Sequence, residues 1–177
     1  AGNLMDQNEN GVGGESTADQ FTTTFYVEMW QEATTVIDFS SQYSATSWSA
    51  AQVLGAADTF VYADRSTAWA PRSANAGLQS ITVGYDTPVL ATSAVIRETY
   101  GNGFVRQVEV RDAASGTFHV LFDGVDPSLP GTPVDFSVSW QPTEFAVDAL
   151  RVTIDTDHSS TYEEIDAIHL RGLPLPE

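Results

Sequence analysis

Along most of the chain, apolar and polar residues alternate in short runs rich in Val, Ile, Thr, Phe and Tyr. That period of two belongs to a half-buried strand; the three-to-four spacing of a helix face is almost absent. The pattern predicts strands over residues 21–30, 34–40, 78–85, 90–99, 104–111, 117–123, 134–140, 145–154 and 163–171. Asn102-Gly103 is a strong hairpin signal, the segment 113–116 closes another turn, and Asp86-Thr87-Pro88 reads as a strand break. One short helix is predicted over 49–54, capped by Ser47 or Ser49 and stopped by Gly55. The expected fold is all-β, an antiparallel β-sandwich of the jelly-roll kind.

Charge narrows the partners. The 177 residues carry 24 acidic and 7 basic side chains, a formal net charge of −17, and every basic residue is Arg. Such a surface repels phosphate backbones and anionic headgroups, so no nucleic acid and no membrane insertion are expected. The same charge also serves simple solubility where salt or divalent ions screen it. The absence of cysteine rules out disulfides, thiolate zinc sites and cysteine nucleophiles. No run approaches the roughly 18 apolar residues of a membrane span.

Residues 1–28 lie outside the sandwich pattern. Asp6, Asn8 and Asn10, followed by Gly11 and Val12, place oxygens at alternate positions around a glycine turn, as calcium loops do. Position twelve is Thr17 and the nearest carboxylate is Glu15, so an EF-hand assignment fails. The run instead resembles the closing hairpin of bacterial immunoglobulin-like repeats in large surface proteins. A Ca²⁺ held by Asp6, Asn8, Asn10, the Val12 carbonyl and Glu15 is expected, the alternative being a solvated linker loop. On this reading the segment is the remnant of a preceding repeat or an extension, in a larger multidomain chain. Residues 29–172 form the sandwich and 173–177 a linker tail.

Several separated segments carry a second resemblance. Val36-Ile37-Asp38-Phe39-Ser40-Ser41-Gln42-Tyr43-Ser44, the segment 47–59 around Trp48, Thr67-Ala68-Trp69-Ala70-Pro71, the segment 81–89, Arg97-Glu98-Thr99-Tyr100-Gly101-Asn102-Gly103-Phe104-Val105-Arg106 and Tyr162-Glu163-Glu164-Ile165-Asp166-Ala167-Ile168-His169-Leu170-Arg171-Gly172 follow one another in order. Over 36–172 the chain resembles the galactose-binding-like, discoidin-type module of pappalysin-type proteases, of a leucine-rich-repeat F-box protein and of bacterial secreted proteins. The resemblance implies a non-catalytic, secreted or cell-surface module binding carbohydrate or another surface ligand. It also implies a structural calcium ion, for which Asp58, Asp64 and Glu164 are candidates. A structural or adhesive spacer is the alternative, because fold alone does not choose the function.

Candidate ligand residues are Trp69, Arg97, Tyr100, Asn102, Arg106 and His158. Trp48, Trp69, Trp140 and Tyr62 have the large apolar faces that stack on pyranose rings, although core packing uses the same residues. Alternation puts Arg106 on the face of Phe104, Val108 and Val110, where a buried guanidinium needs Glu98, Glu164 or Asp166, or else lines a ligand pocket. Tyr100, Asn102 and His158 sit at turns, where sandwiches present ligands. No nucleophile elbow, phosphate loop or paired zinc histidines occur, so catalysis is not expected. A glycan-active hydrolase would need a carboxylate pair such as Glu98 with Glu164 across an open cleft.

Overall fold

A computed structural model of the chain describes residues 27–176. Among the described residues eight strands run in the order β1 (Met29–Glu32), β2 (Thr35–Phe39), β3 (Leu78–Tyr100), β4 (Val105–Asp112), β5 (Phe118–Asp123), β6 (Val134–Ser139), β7 (Val147–Asp155) and β8 (Glu164–Leu173). All pairings are antiparallel. Among the described residues no helix is long and apolar enough to cross a membrane. The calcium loop of Asp6, Asn8, Asn10, Val12 and Glu15 lies outside the described residues.

Strand β3 belongs to both layers. Its first part pairs with β2 and β7, and its second part pairs with β8 and β6. The layers are therefore β2-β3-β7-β4-β5 and β1-β8-β3-β6, joined through one strand of 23 residues. The expected break at Asp86-Thr87-Pro88 is a register shift between Gly84 and Val89 within that strand. Pro88 has no N–H for a ladder, so it sits where the strand leaves one layer for the other.

The two inner faces meet in one apolar core. Ile81, Val108, Val110, Leu150, Val152 and Ile154 of one layer pack on Ile96, Phe136, Ile165, Ile168 and Leu170 of the other. The side-chain period of two decides which residues enter it. Arg106 departs from the expected alternation because the β4–β7 register shifts between Val105 and Gln107. The bulge turns both Phe104 and Val105 inward and leaves Arg106 on the surface, in a groove with Gln107, Asp123 and Asp155. The expected helix is a single 3₁₀ turn, Ala50–Val53, whose Ser49 makes no side-chain cap. β8 continues through Leu173, the first residue assigned to the tail, which pairs with Leu90.

Gly172 marks the closest approach of β8 to β3. A Cβ there would lie 2.5 Å from a Val89 methyl and 2.7 Å from the Leu90 carbonyl oxygen. Gly172→Ala is expected to destabilise the fold by about 1–3 kcal/mol through overpacking, read as a lower denaturant midpoint with unchanged slope. An unchanged midpoint would show that β3 and β8 separate freely at this point.

Candidate functional site

Four connections converge at one end of the sandwich: residues 40–77, 101–104, 124–133 and 156–163. Gly101 donates its N–H to the Tyr62 hydroxyl at 3.2 Å, and the Asn102 amide donates to the Thr132 carbonyl at 2.8 Å. The Nε2 atom of His158 lies 2.9 Å from the Asn102 carbonyl oxygen. Gly101 and Gly103 have φ of 70° and 97°, and a Cβ on either would strike Tyr162 or Ser128 backbone oxygen. Only glycine allows this contact between loops.

Loops without ladders leave backbone N–H groups that need acceptors. Buried carboxyls supply them here. Glu98 accepts from Gly103 N–H at 3.0 Å, and Asp126 accepts from Val105 and Ser128 at 3.3 and 2.8 Å. Glu164 accepts from Arg65 N–H at 3.1 Å and from the Trp48 indole at 3.2 Å. Asp166 accepts from the N–H groups of Asp58 and Thr59 at 3.0 and 3.1 Å. Glu98 and Glu164 are wholly buried, and Asp166 is 1% exposed.

None of these carboxyls has the arginine partner that burial ordinarily demands. Arg97 pairs instead with Asp135 at 3.1 Å, Arg111 with Asp148 at 2.8 Å, and Arg151 with Glu109 at 3.3 Å, all at partly exposed positions. Glu98 faces Asp126, Glu164 faces Asp64, and Asp166 faces Asp58. Burial, reinforced by these acidic neighbours, pushes Glu98 up to about 10 and Glu164 up to about 8. Burial raises Asp166 as well, and lifts Glu163 to about 7. A carboxyl that keeps its proton can donate to the acid beside it, which is how a raised pKa relieves like charges forced together. Glu98 and Glu164, the residues a hydrolase would need, are sealed from solvent and hydrogen-bonded to separate loops.

The candidate calcium ligands therefore divide. Asp64 lies against Glu164 and Asp58 against Asp166, and among the described residues no group of three acidic or histidine side chains is arranged to hold a metal. The chemistry of the Asp58–Asp166 pair still suits a hard cation: its oxygens are carboxylate oxygens and the buried Asp166 Oδ1 has no hydrogen-bond partner. Backbone carbonyls and water would have to complete such a shell.

Beside Asp64 lies a cavity of about 70 Å³ lined by Tyr43, Trp48, Asp64, Ala70 and Tyr162. Tyr43 and Trp48 meet edge to face with centroids 5.1 Å apart, and Tyr43 and Tyr162 do the same at 5.8 Å. Backbone bonds set the walls: Tyr43 N–H donates to the Ala70 carbonyl, and Ala70 N–H to the Trp48 carbonyl. Trp48 holds φ at 51°, a left-handed conformation that costs a bulky residue about 1–3 kcal/mol. The indole bond to Glu164 holds it there.

The proposed ligand residues scatter relative to this cavity. Trp69 is a correction: it is fully buried, its indole donates to the Ser41 carbonyl, and its backbone bridges Ile165. Asn102 is also fully buried, its amide used between loops, so it presents nothing to a ligand. Arg97 is held on Asp135 and Arg106 lies in a separate surface groove. Tyr100 stacks with Tyr62, ring centroids 5.4 Å apart, and exposed His158 contacts the Asn102 backbone at the same end. Tyr43 and Tyr162 were not named as ligand residues from the sequence; both lie in segments that carry the family resemblance, each an aromatic residue inside a Ser/Thr-rich connection.

Solved structures share this architecture. The XRCC1 domain in a complex with the DNA polymerase beta catalytic domain matches with a TM-score of 0.59 and 19% identity, over 81% of this chain and 99% of that one. An F5/8 type C domain from Bacteroides fragilis matches at 0.57 and 16%, over 85% and 98%. The CBM32 module of AlyQ, in complex with 4,5-unsaturated mannuronic acid, matches at 0.55 and 15%, over 80% and 97%. No family model and no curated protein sequence matches the chain.

The buried carboxyls make stability fall as pH rises. Because the folded pKa of Glu98 is raised from 4.5 to about 10, its contribution is complete below the unfolded value and is lost progressively across that window. Glu98→Gln keeps a neutral side chain able to accept from Gly103 and donate to Asp126. Its thermal midpoint is expected to decline less steeply than the parent's from about pH 5 to about pH 9, and to exceed it at the alkaline end. Parallel profiles would show that Glu98 is ionised in the folded protein.

Proposed function

We propose that this galactose-binding-like β-sandwich is a non-catalytic, extracellular glycan-binding module whose ligand docks at the loop end, on Tyr43, Trp48 and Tyr162. The observation that carries the reading is the aromatic cavity held by backbone bonds and by a Trp48 in a strained conformation. Local strain that persists at an accessible aromatic cluster is what a preorganised binding site looks like. The neighbouring Tyr62–Tyr100 pair extends the aromatic surface on the same end. A fold shared with a CBM32 module supports a sugar ligand, and one shared with XRCC1 bound to a polymerase domain keeps a protein ligand as the competing outcome.

Ca²⁺ fits the same reading as a structural ion. Asp58 and Asp166 are the residues that would hold it among those described, and the ion would offset the repulsion between them where Asp166 accepts the N–H groups of residues 58 and 59. With calcium the module would also serve as a stiff spacer in a longer surface protein, the function left if no ligand is found.

Titration with a panel of neutral, acidic and amino oligosaccharides, followed by tryptophan fluorescence, tests the assignment. Binding of one class is expected, weakened about ten-fold or more in Tyr43→Ala, whose side chain is half exposed and expendable for folding. Binding that survives both Tyr43→Ala and Tyr162→Ala would place the ligand elsewhere. In a separate scan, excess Ca²⁺ is expected to raise the thermal midpoint relative to EDTA, and Asp166→Asn to abolish part of that rise. Equal midpoints with and without the ion would remove calcium from the account.

A further inference from the structure

The three rings of the cavity do not form a platform. Tyr43 stands at 64° to Trp48 and at 87° to Tyr162, so the three faces turn toward different directions and no flat sugar ring can lie on all of them. The space between them, about 70 Å³, is small and partly open, so a single substituent can enter it from the solvent side. Rings steeply inclined to one another around a small volume make a box.

The lining decides the charge of what enters. Among the described residues Asp64 is its one ionisable group besides the tyrosine hydroxyls, and the Glu164 carboxyl lies behind it, hydrogen-bonded to the Trp48 indole. No basic side chain lines the space; Arg65, next in sequence, lines a separate cavity with Phe60 and Val61. Electron-rich faces together with one carboxylate attract a cation and reject an anion, and the net charge of −17 adds long-range attraction of the same sign. Uronate carboxylates and sulfate esters are thereby disfavoured.

We infer that the Tyr43–Trp48–Tyr162 box with Asp64 receives an ammonium group carried by its ligand. On the glycan-binding reading, which supplies the source of the group, it is the free amine of a deacetylated amino sugar; an alkylammonium such as choline offers the same chemistry. The pyranose that carries the amine then lies outside the box, towards the half-exposed Tyr43.

Calorimetric titration of the full chain with a glucosamine oligosaccharide, its fully N-acetylated counterpart and choline, at a pH where the amine is protonated, tests this. Tighter binding of the amino form by at least about ten-fold is expected, falling by a similar factor in Asp64→Asn and weakening as salt is raised. Equal affinity for the acetylated form, or no effect of Asp64→Asn, would overturn the inference while leaving a glycan module in place. Choline bound with Asp64 dependence and no oligosaccharide bound would sustain the box and overturn the glycan reading. Binding of none of the three would overturn both.

Discussion

Backbone amides in loops must find acceptors, and at this end of the sandwich the acceptors are carboxyl groups in the interior. Glu98 and Asp126 hold the turn after β3 against the connection before β6. Glu164 and Asp166, at the start of β8, hold the long connection between β2 and β3 at Arg65, Asp58 and Thr59. Four connections with no ladder of their own thus become one surface. With 24 acidic side chains against 7 arginines, and with three of those arginines committed to partly exposed pairs, cations do not neutralise these buried acids. Protons do, and the elevated pKa values of Glu98 and Glu164 express that demand.

The site inherits its order from this arrangement. Glu164 fixes Arg65 and the Trp48 indole at once, which ties the backbone of the long connection to the aromatic wall beside it. The strain at Trp48 is tolerated because both its side chain and its backbone are held by groups that do not move independently. β3, crossing from one layer to the other, brings Glu98 and Tyr100 to the same end that β8 supplies with Glu164 and Asp166. Fold and site are linked through these two strands, so a disturbance of the β3–β8 contact would reach the cavity.

Much of this architecture is legible in the sequence. Alternation located the strands from β2 onward, while the strand expected over 21–30 lies mostly outside the described residues, and the separated motifs around Trp48, Trp69, Tyr100 and Glu164 pointed to an antiparallel β-sandwich, which is the fold found. Strand periodicity failed at Arg106 because a bulge adds one residue, a feature that alternation does not encode. The break read at Pro88 is a crossing between layers, which uses the same residue for a different reason. Glu98, Glu164 and Asp166 were expected to answer arginines; they answer loop amides and one another, since the pairing depends on which loops meet in space. Trp69 and Trp48 have the same composition signature of aromatic and serine or alanine neighbours, and only tertiary contacts send the first into the core and the second to the cavity wall.

Backbone and indole amide resonances would locate the ligand most directly. With a bound oligosaccharide, the account requires the largest shifts at the Trp48 indole and at the amides of Tyr43, Asp64, Ala70 and Tyr162, with β5 and the groove around Arg106 unmoved. Shifts concentrated on the exposed faces of the sheets, away from the loop end, would contradict it.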